Sequence, residues 1–95
     1  MSDYKLYQIH YLQSVLEEDI PNLTMAAKKV IKSAVVEQLM IDPIGFGKPL
    51  RYSLNGHRRL RVCEYRIVYR VEVGAHLVII IAIKNHRETH NIRNG

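Results

Sequence analysis

The segment GKPLRYSLNGHRRLRVCEYRIVYRVE, residues 47–72, decides the fold because cationic and apolar side chains alternate in it with the period of a β-strand. Two strands are predicted, His57 to Val62 and Tyr65 to Glu72, and the short Cys63-Glu64 connection indicates a tight hairpin. When the two strands are aligned, the arginines share one sheet face and the apolar residues share the other: Arg59, Arg61 and Arg66 lie opposite Leu60, Val62, Ile67 and Tyr69. The cationic face suits a polyanion.

Two helices are predicted upstream of this hairpin. Residues 12–20 have apolar side chains at helical spacing and indicate a short amphipathic helix of about three turns. Residues 23–39 carry a longer apolar stripe, with Asn22 or Thr24 capping its start and Asp42-Pro43 stopping it.

The remaining segments complete an α+β domain. Tyr4 to Ile9 is predicted to be a first strand, and Pro43 to Asn55 is expected to be mostly loop. Leu77 to Ile83 is apolar on both faces, which favours a strand in the interior of the sheet. We therefore expect a single domain over residues 1–95, with two N-terminal helices packed on one face of a mostly antiparallel four-stranded sheet in the order β-α-α-β-β-β.

The charge is divided unevenly along the chain. Residues 1–47 hold four lysines and six acidic residues, a net charge of −2, whereas residues 48–95 hold ten Lys or Arg and three Glu, a net charge of +7. The overall charge of +5 favours nucleic acid, an acidic protein or an anionic surface as partner. The functional surface is therefore expected in the second half.

Several classes of protein are disfavoured by the sequence. Its start, MSDYKLYQIHYL, lacks the pattern of a secretory signal, and its longest apolar run is seven residues, whereas a membrane helix needs about 20. A cytoplasmic protein without membrane contact is expected. The single cysteine, Cys63, supports neither an internal disulfide nor a thiolate cluster for zinc, and we expect no metal and no cofactor.

The 47–72 segment, followed by an apolar strand and His-Arg-Glu, resembles the RelE/ParE superfamily of bacterial toxin–antitoxin toxins. The resemblance rests on the order and spacing of GKPL, RLRV and YRIVYRV, and it covers nearly the whole chain. The RelE-like branch, which we favour, implies a ribosome-dependent endoribonuclease in which the 2′-hydroxyl of messenger RNA attacks the adjacent phosphate and translation stops. The ParE-like branch implies a non-enzymatic inhibitor of DNA gyrase. A degenerate toxin that binds only antitoxin and operator DNA is a third alternative.

The resemblance also implies roles for individual residues. By motif position, Arg66 would bind the scissile phosphate, with Arg61 as a second phosphate ligand. In the tail, His86-Arg87 resembles the basic pair that follows the last strand in the family, although this tail is one residue longer than is usual. From their chemistry we expect His86 to act as acid or base and Arg87 to stabilise charge. Further contacts to RNA phosphates are expected from Lys48, Arg51, Arg59, Arg70 and His90.

The site departs from the family pattern in two ways. Positions 59 and 61 are arginine where the nuclease branch often has lysine, and arginine, with a pKa above ~12, is a poor proton acceptor. His86 and His90 are therefore the candidates for the general base, because imidazole exchanges a proton near neutral pH. In addition, His90 lies near where some nucleases of the family have a base-stacking tyrosine.

The bland alternative is that the arginines pair with glutamates, namely Glu64, Glu72 and Glu88, or simply face solvent. Three glutamates cannot neutralise ten cations, which favours an external anion. As partners, the resemblance implies the ribosome and messenger RNA, together with a cognate RelB-like antitoxin in a heterotetramer. Operator DNA would be contacted only through the antitoxin complex. An acidic, partly disordered antitoxin would cover the cationic face.

Overall fold

The computed structural model describes residues 5–53 and 55–85, and within these it contains one sheet of five strands. The strands are β1 (Gln8–Tyr11), β2 (Lys48–Pro49), β3 (Arg58–Val62), β4 (Tyr65–Glu72) and β5 (Leu77–Asn85). They lie in the order β1-β5-β4-β3-β2, with β1 parallel to β5 and the other pairs antiparallel. The α+β class with a mostly antiparallel sheet is confirmed, as is the interior position of β5. The expected number of four strands is wrong.

Two helical segments follow β1. The first, α1 (Val15–Asp19), is a wide turn in which the Ile20 N–H donates to the Val15 carbonyl oxygen at 2.9 Å. The second, α2 (Met25–Ala34), begins at Thr24, whose side chain accepts a hydrogen bond from the Ala27 N–H at 3.0 Å and so acts as N-cap. It continues as a further wide turn, Val35–Leu39.

The elements at the start of the chain differ from the prediction. The first strand begins at Gln8, and the proposed start at Tyr4 lies outside the described residues. The first helix is about two turns long instead of three, covering residues 13–19. The reason is that the Leu12 N–H still donates to the Ile80 carbonyl oxygen at 3.1 Å, so the chain stays on the sheet edge one residue beyond β1.

The 43–55 segment also holds more structure than a loop. It begins with a short helix, α3 (Pro43–Phe46), whose start is capped by Asp42, and it contains the additional strand β2. The Asp42 carboxylate accepts a hydrogen bond from the Gly45 N–H at 2.9 Å. Pro49 cannot donate to a neighbouring strand, which agrees with the edge position of β2.

The core lies between the helices and one face of the sheet. The helices contribute Val15, Ile31, Ala34, Val35 and Leu39. The strands contribute Leu60, Val62, Ile67, Tyr69, Val78, Ile80 and Ile83. Over the described ranges, no helix is long and apolar enough to cross a membrane.

Candidate anion-binding face

The β3–β4 hairpin turns Arg59, Arg61 and Arg66 away from the helices, toward the sheet face that we call the open face. Its register pairs Arg61 with Arg66 and Leu60 with Ile67. Leu60 and Ile67 are buried in the core, so the residues that alternate with them, including Arg59, project from the opposite face. The structure thus places the three arginines together, as the alternation predicted.

The cations of the open face form two rows across the sheet. In one row Lys48 lies directly opposite Arg59, and in the next Arg61 lies directly opposite Arg66. Directly opposite residues have Cβ atoms about 5 Å apart, and the two rows are separated by about 7 Å along the strands. We call these four residues, Lys48, Arg59, Arg61 and Arg66, the cationic cluster.

No member of the cationic cluster forms an ion pair with a carboxylate from the described residues. The Arg61 Nε donates to the Cys63 carbonyl oxygen at 3.4 Å, which leaves its positive charge uncompensated. Like charges directly opposite each other destabilise a sheet. An arriving phosphate would relieve this repulsion and accept charge-assisted hydrogen bonds from the guanidinium groups.

Two other cations of the open face are already paired. The Arg70 Nε donates to Glu72 Oε2 at 3.0 Å, and both side chains are a little under half exposed. This ion pair is of the kind that the alternative explanation expected, in which the arginines pair with glutamates of the same chain. Lys84 lies opposite Arg66 in register, but its Nζ donates to Asp19 Oδ1 at 3.0 Å. Among the described cations of the open face, the uncompensated charge is therefore concentrated on the cationic cluster.

Asp19 also completes the sheet edge beside this cluster. Its Oδ2 accepts a hydrogen bond from the Ile83 N–H at 2.9 Å. The paired residues of β1 and β5 end at Tyr11 and Ile80, so Asp19 supplies an acceptor where β1 no longer runs beside β5.

The remaining predicted contacts fall elsewhere. Arg51 lies in an exposed turn after β2, and within the described part of the chain neither strand pairing nor a hydrogen bond connects it to the two rows. His86, Arg87 and His90 lie outside the described residues. Their roles stay predictions.

Both tyrosines of β4 face the helices, which confirms the prediction for Tyr69. Tyr65 is half-buried against the core, and Tyr69 is fully buried. The Tyr69 hydroxyl donates to the Pro43 carbonyl oxygen at 2.6 Å. Burial raises the pKa of the Tyr69 phenol, the nearby Arg58 guanidinium acts in the opposite direction, and Asp42 adds a smaller raising effect.

Arg58 is a residue that the sequence reasoning missed. Its Nη2 donates to the carbonyl oxygens of Ile44 at 2.8 Å and Gly47 at 3.1 Å, on the helix side of the sheet. The alternation of side chains along a strand could have revealed it, because this alternation places Arg58 on the same sheet face as Leu60 and on the opposite face from Arg59. A cation on the apolar side of a strand needs acceptors, and the α3–β2 turn supplies them.

His57 is a second missed residue. The Leu50 N–H donates to the His57 carbonyl oxygen at 2.8 Å, which extends the β2–β3 pairing by one step. By the two-residue period, His57 therefore lies on the open face one step beyond Arg59. It adds an imidazole at the margin of the cationic cluster.

Comparisons with known proteins agree on one group of toxins. Residues 16–90 match a family model described as "ParE toxin of type II toxin-antitoxin system, parDE". The chain is 29% identical over 92 residues to Toxin RelE of Mycobacterium tuberculosis, which covers 97% of this chain and 94% of that protein.

Solved structures show the same fold. The crystal structure of the toxin–antitoxin complex RelBE2 from Mycobacterium tuberculosis matches with a TM-score of 0.77 and 23% identity, over 88% of this chain and 94% of the other. The isolated E. coli RelE toxin matches with a TM-score of 0.66 and 19% identity, over 93% and 97%. The chain of the intact E. coli RelBE toxin–antitoxin complex matches with a TM-score of 0.69 and 22% identity, over 83% and 95%.

Proposed function

Because the chain belongs to the ParE toxin family of type II toxin–antitoxin systems, we propose that it is a RelE-like toxin that cleaves messenger RNA on the ribosome. The RNA backbone would lie on the open face of the sheet. Likeness in sequence to a RelE toxin supports this branch of the superfamily over the gyrase-inhibiting branch. Cleavage would stop translation.

The observation that carries the proposal is the cationic cluster. Arg61 lies directly opposite Arg66, with Lys48 and Arg59 in the adjacent row, and no described carboxylate pairs with any of them. Two neighbouring planar guanidinium groups suit the two non-bridging oxygens of a phosphodiester. A second row about 7 Å away would contact the next stretch of the same backbone.

The reaction assigned to this site needs no cofactor. The 2′-oxygen of the RNA attacks the adjacent phosphorus and the bond from phosphorus to the 5′-oxygen breaks, which leaves a 2′,3′-cyclic phosphate and a 5′-hydroxyl. Arg66 and Arg61 would stabilise the extra negative charge of the phosphorane. One proton leaves the 2′-hydroxyl and one reaches the departing 5′-oxygen, so an acceptor and a donor are both required.

Histidine supplies the acid–base chemistry in this proposal, because arginine is a poor proton acceptor. His86 is the candidate from the tail, with Arg87 beside it as a further cation. His57 is the alternative that lies on the open face. The effects of His86→Gln and His57→Gln on the pH profile of cleavage distinguish the two candidates.

A cognate antitoxin is proposed as the second partner. The solved RelBE structures of similar fold are complexes of toxin with antitoxin. A RelB-like antitoxin with acidic segments would neutralise the cationic cluster, form a heterotetramer and bring the toxin to operator DNA. Binding would then be fast and would weaken with salt.

Inhibition of DNA gyrase is the second candidate function. It is favoured by the family description, which names the ParE toxin, and by the absence of lysine at positions 59 and 61. A gyrase inhibitor needs a binding surface only. When the chain is expressed without antitoxin, it would produce double-strand DNA breaks while messages stay intact.

Arg66→Ala tests the nuclease proposal. We expect the wild-type chain, induced alone, to stop translation and leave messages cut within codons, and we expect Arg66→Ala to abolish both effects. Arg70→Ala is the matched control, since Arg70 lies on the same strand and face but is paired with Glu72. Intact messages with the wild-type chain, or full toxicity of a folded Arg66→Ala variant, would reject the proposal.

A further inference from the structure

Arg58 and Arg59 are neighbours in β3, and their side chains lie on opposite faces of the sheet. Arg59 belongs to the cationic cluster, whereas the Arg58 guanidinium turns to the helix side. There its Nη2 bridges two carbonyl oxygens, those of Ile44 at 2.8 Å and Gly47 at 3.1 Å. A single side chain thus ties both ends of the α3–β2 turn to β3.

The tied turn leads directly into Lys48. Lys48 follows Gly47 in the chain and pairs with Arg59 on the open face. Because β2 is only two residues long, its own ladder gives little resistance to fraying. The Arg58 hydrogen bonds hold the residue that comes immediately before Lys48, and so hold Lys48 in register.

Arg58 is a costly residue to place here if stability alone is considered. Its Nε is buried and has no hydrogen-bond partner among the residues that the structure describes. The side chain as a whole is half-buried, and burial of an N–H without a partner costs free energy. Its two well-placed hydrogen bonds therefore point to geometry as the role of this side chain.

We infer that Arg58 is a positioning residue for RNA binding, which aligns Lys48 with Arg59 by fixing the α3–β2 turn from the opposite face of the sheet. The RNA part of this inference rests on the proposed function. Arg58 touches no RNA itself. Its effect on affinity is transmitted through Lys48.

A double-mutant cycle between Arg58 and Lys48 tests the inference. The measurement is binding of a short single-stranded RNA oligonucleotide to the purified chain over a range of salt concentrations. We expect Lys48→Ala to weaken binding about three- to tenfold and to reduce the slope of log affinity against log salt by about 0.7. Arg58→Met should produce the same two losses, and the double variant should bind as Lys48→Ala does, within about twofold. If the affinity loss of the double variant equals the product of the two single losses, or if Arg58→Met leaves the salt slope unchanged, the inference is overturned.

The variant Arg58→Lys tests whether Arg58 acts by fixing the α3–β2 turn or by its positive charge. It keeps the positive charge, but the lysine Nζ ends one bond short of the position of Nη2, the atom that donates both hydrogen bonds in the wild type. Positioning predicts that Arg58→Lys binds RNA as weakly as Arg58→Met. Full rescue by lysine would instead assign the effect to the electrostatic field of residue 58.

Hydrogen exchange gives a readout that does not depend on RNA. The Leu50 N–H, bonded to the His57 carbonyl oxygen at 2.8 Å, reports on the β2 edge. We expect Arg58→Met to speed exchange at Leu50 at least tenfold, while Val78 in the buried core stays protected as in the wild type. Unchanged exchange at Leu50 would refute positioning. If the wild-type chain binds no RNA, the proposed function fails, and this exchange result still decides whether Arg58 fixes the turn.

Discussion

The Tyr69 hydroxyl donates a hydrogen bond of 2.6 Å to the Pro43 carbonyl oxygen, across 26 positions of the chain. Tyr69 is fully buried in β4, and Pro43 begins α3. This contact therefore joins the centre of the sheet to the turn that leads into β2. It lies beside the Arg58 hydrogen bonds to the same turn.

Removal of this hydroxyl is expected to destabilise the protein. Tyr69→Phe should lower the free energy of unfolding by about 1–3 kcal/mol, because the buried Pro43 carbonyl oxygen loses its partner. Urea titration at neutral pH provides the measurement. Tyr52→Phe, at a side chain that is 91% exposed, is the control and should leave the midpoint unchanged. Equal midpoints for Tyr69→Phe and the wild type would contradict a stabilising role for this bond.

The same hydroxyl predicts a dependence on alkaline pH. Burial raises the pKa of Tyr69, so the folded protein keeps the phenol proton at pH values where the unfolded chain, with an ordinary value of 10.0, loses it. The contribution to stability is thus fully present below pH 10 and is lost as the pH rises through the folded pKa. We expect the stability difference between the wild type and Tyr69→Phe to shrink above pH 10 in a pH series of urea titrations. A difference that stays constant or grows above pH 10 would contradict a raised pKa for Tyr69 in the folded protein.

Gly47 is expected to tolerate no side chain. A Cβ at this position would overlap the Tyr69 hydroxyl and would come within 2.8 Å of the Arg59 carbonyl oxygen. Gly47→Ala should therefore lower the free energy of unfolding by about 1–3 kcal/mol, as measured by thermal or urea unfolding. Gly74→Ala is the matched control, since a Cβ there meets nothing within 4 Å. Partial recovery in the Gly47→Ala/Tyr69→Phe double variant would identify the hydroxyl as one source of the clash, and full tolerance of Gly47→Ala would exclude the close approach.

The hairpin turn offers a stabilising change. Cys63 has a φ of 56°, in the left-handed region that is unfavourable for a residue with a Cβ. Cys63→Gly should raise the free energy of unfolding by about 0.5–1 kcal/mol, because relief of strain outweighs the greater freedom of glycine in the unfolded chain. Cys63→Ser keeps the Cβ and should change stability little. A stability of Cys63→Gly below that of Cys63→Ser in thermal unfolding would argue against strain at this turn.

The cationic cluster predicts a salt dependence for RNA binding. Each phosphate contact to single-stranded RNA contributes about 0.7 to the slope of log affinity against log salt. Arg61→Ala should therefore reduce the slope by about 0.7 and weaken binding about three- to tenfold at moderate salt. Lys28→Ala, at an exposed lysine of α2, should leave the slope unchanged. Equal slopes for Arg61→Ala and the wild type would place the RNA elsewhere.

The hairpin could be predicted from sequence because two local signals agree there. Alternation over β3 and β4 assigns each residue to a face, and a two-residue connection fixes the register that pairs Arg61 with Arg66. The grouping of Arg59, Arg61 and Arg66 follows from these signals alone. Which cations stay unpaired does not, since the contact of Lys84 with Asp19 joins residues 65 positions apart.

The edges of the sheet could not be predicted in the same way. β2 contains a proline and only two residues, and the segment before it is held by hydrogen bonds from the distant Arg58 and Tyr69. β1 is placed by its parallel pairing with β5, which a short, imperfectly alternating segment does not reveal. In both cases tertiary contacts override the local pattern.

The adjacency of Arg58 and Arg59 makes the chain sensitive to insertions within β3 and tolerant of insertions at the hairpin tip. One extra residue absorbed within β3 would exchange the faces of every following side chain in that strand, which would expose Leu60 and Val62 and bury Arg59 and Arg61. Lengthening the Cys63-Glu64 tip would instead leave both strands in phase. Related sequences that differ in the length of this hairpin should therefore differ at its tip and not within β3, which carries Arg58 and Arg59.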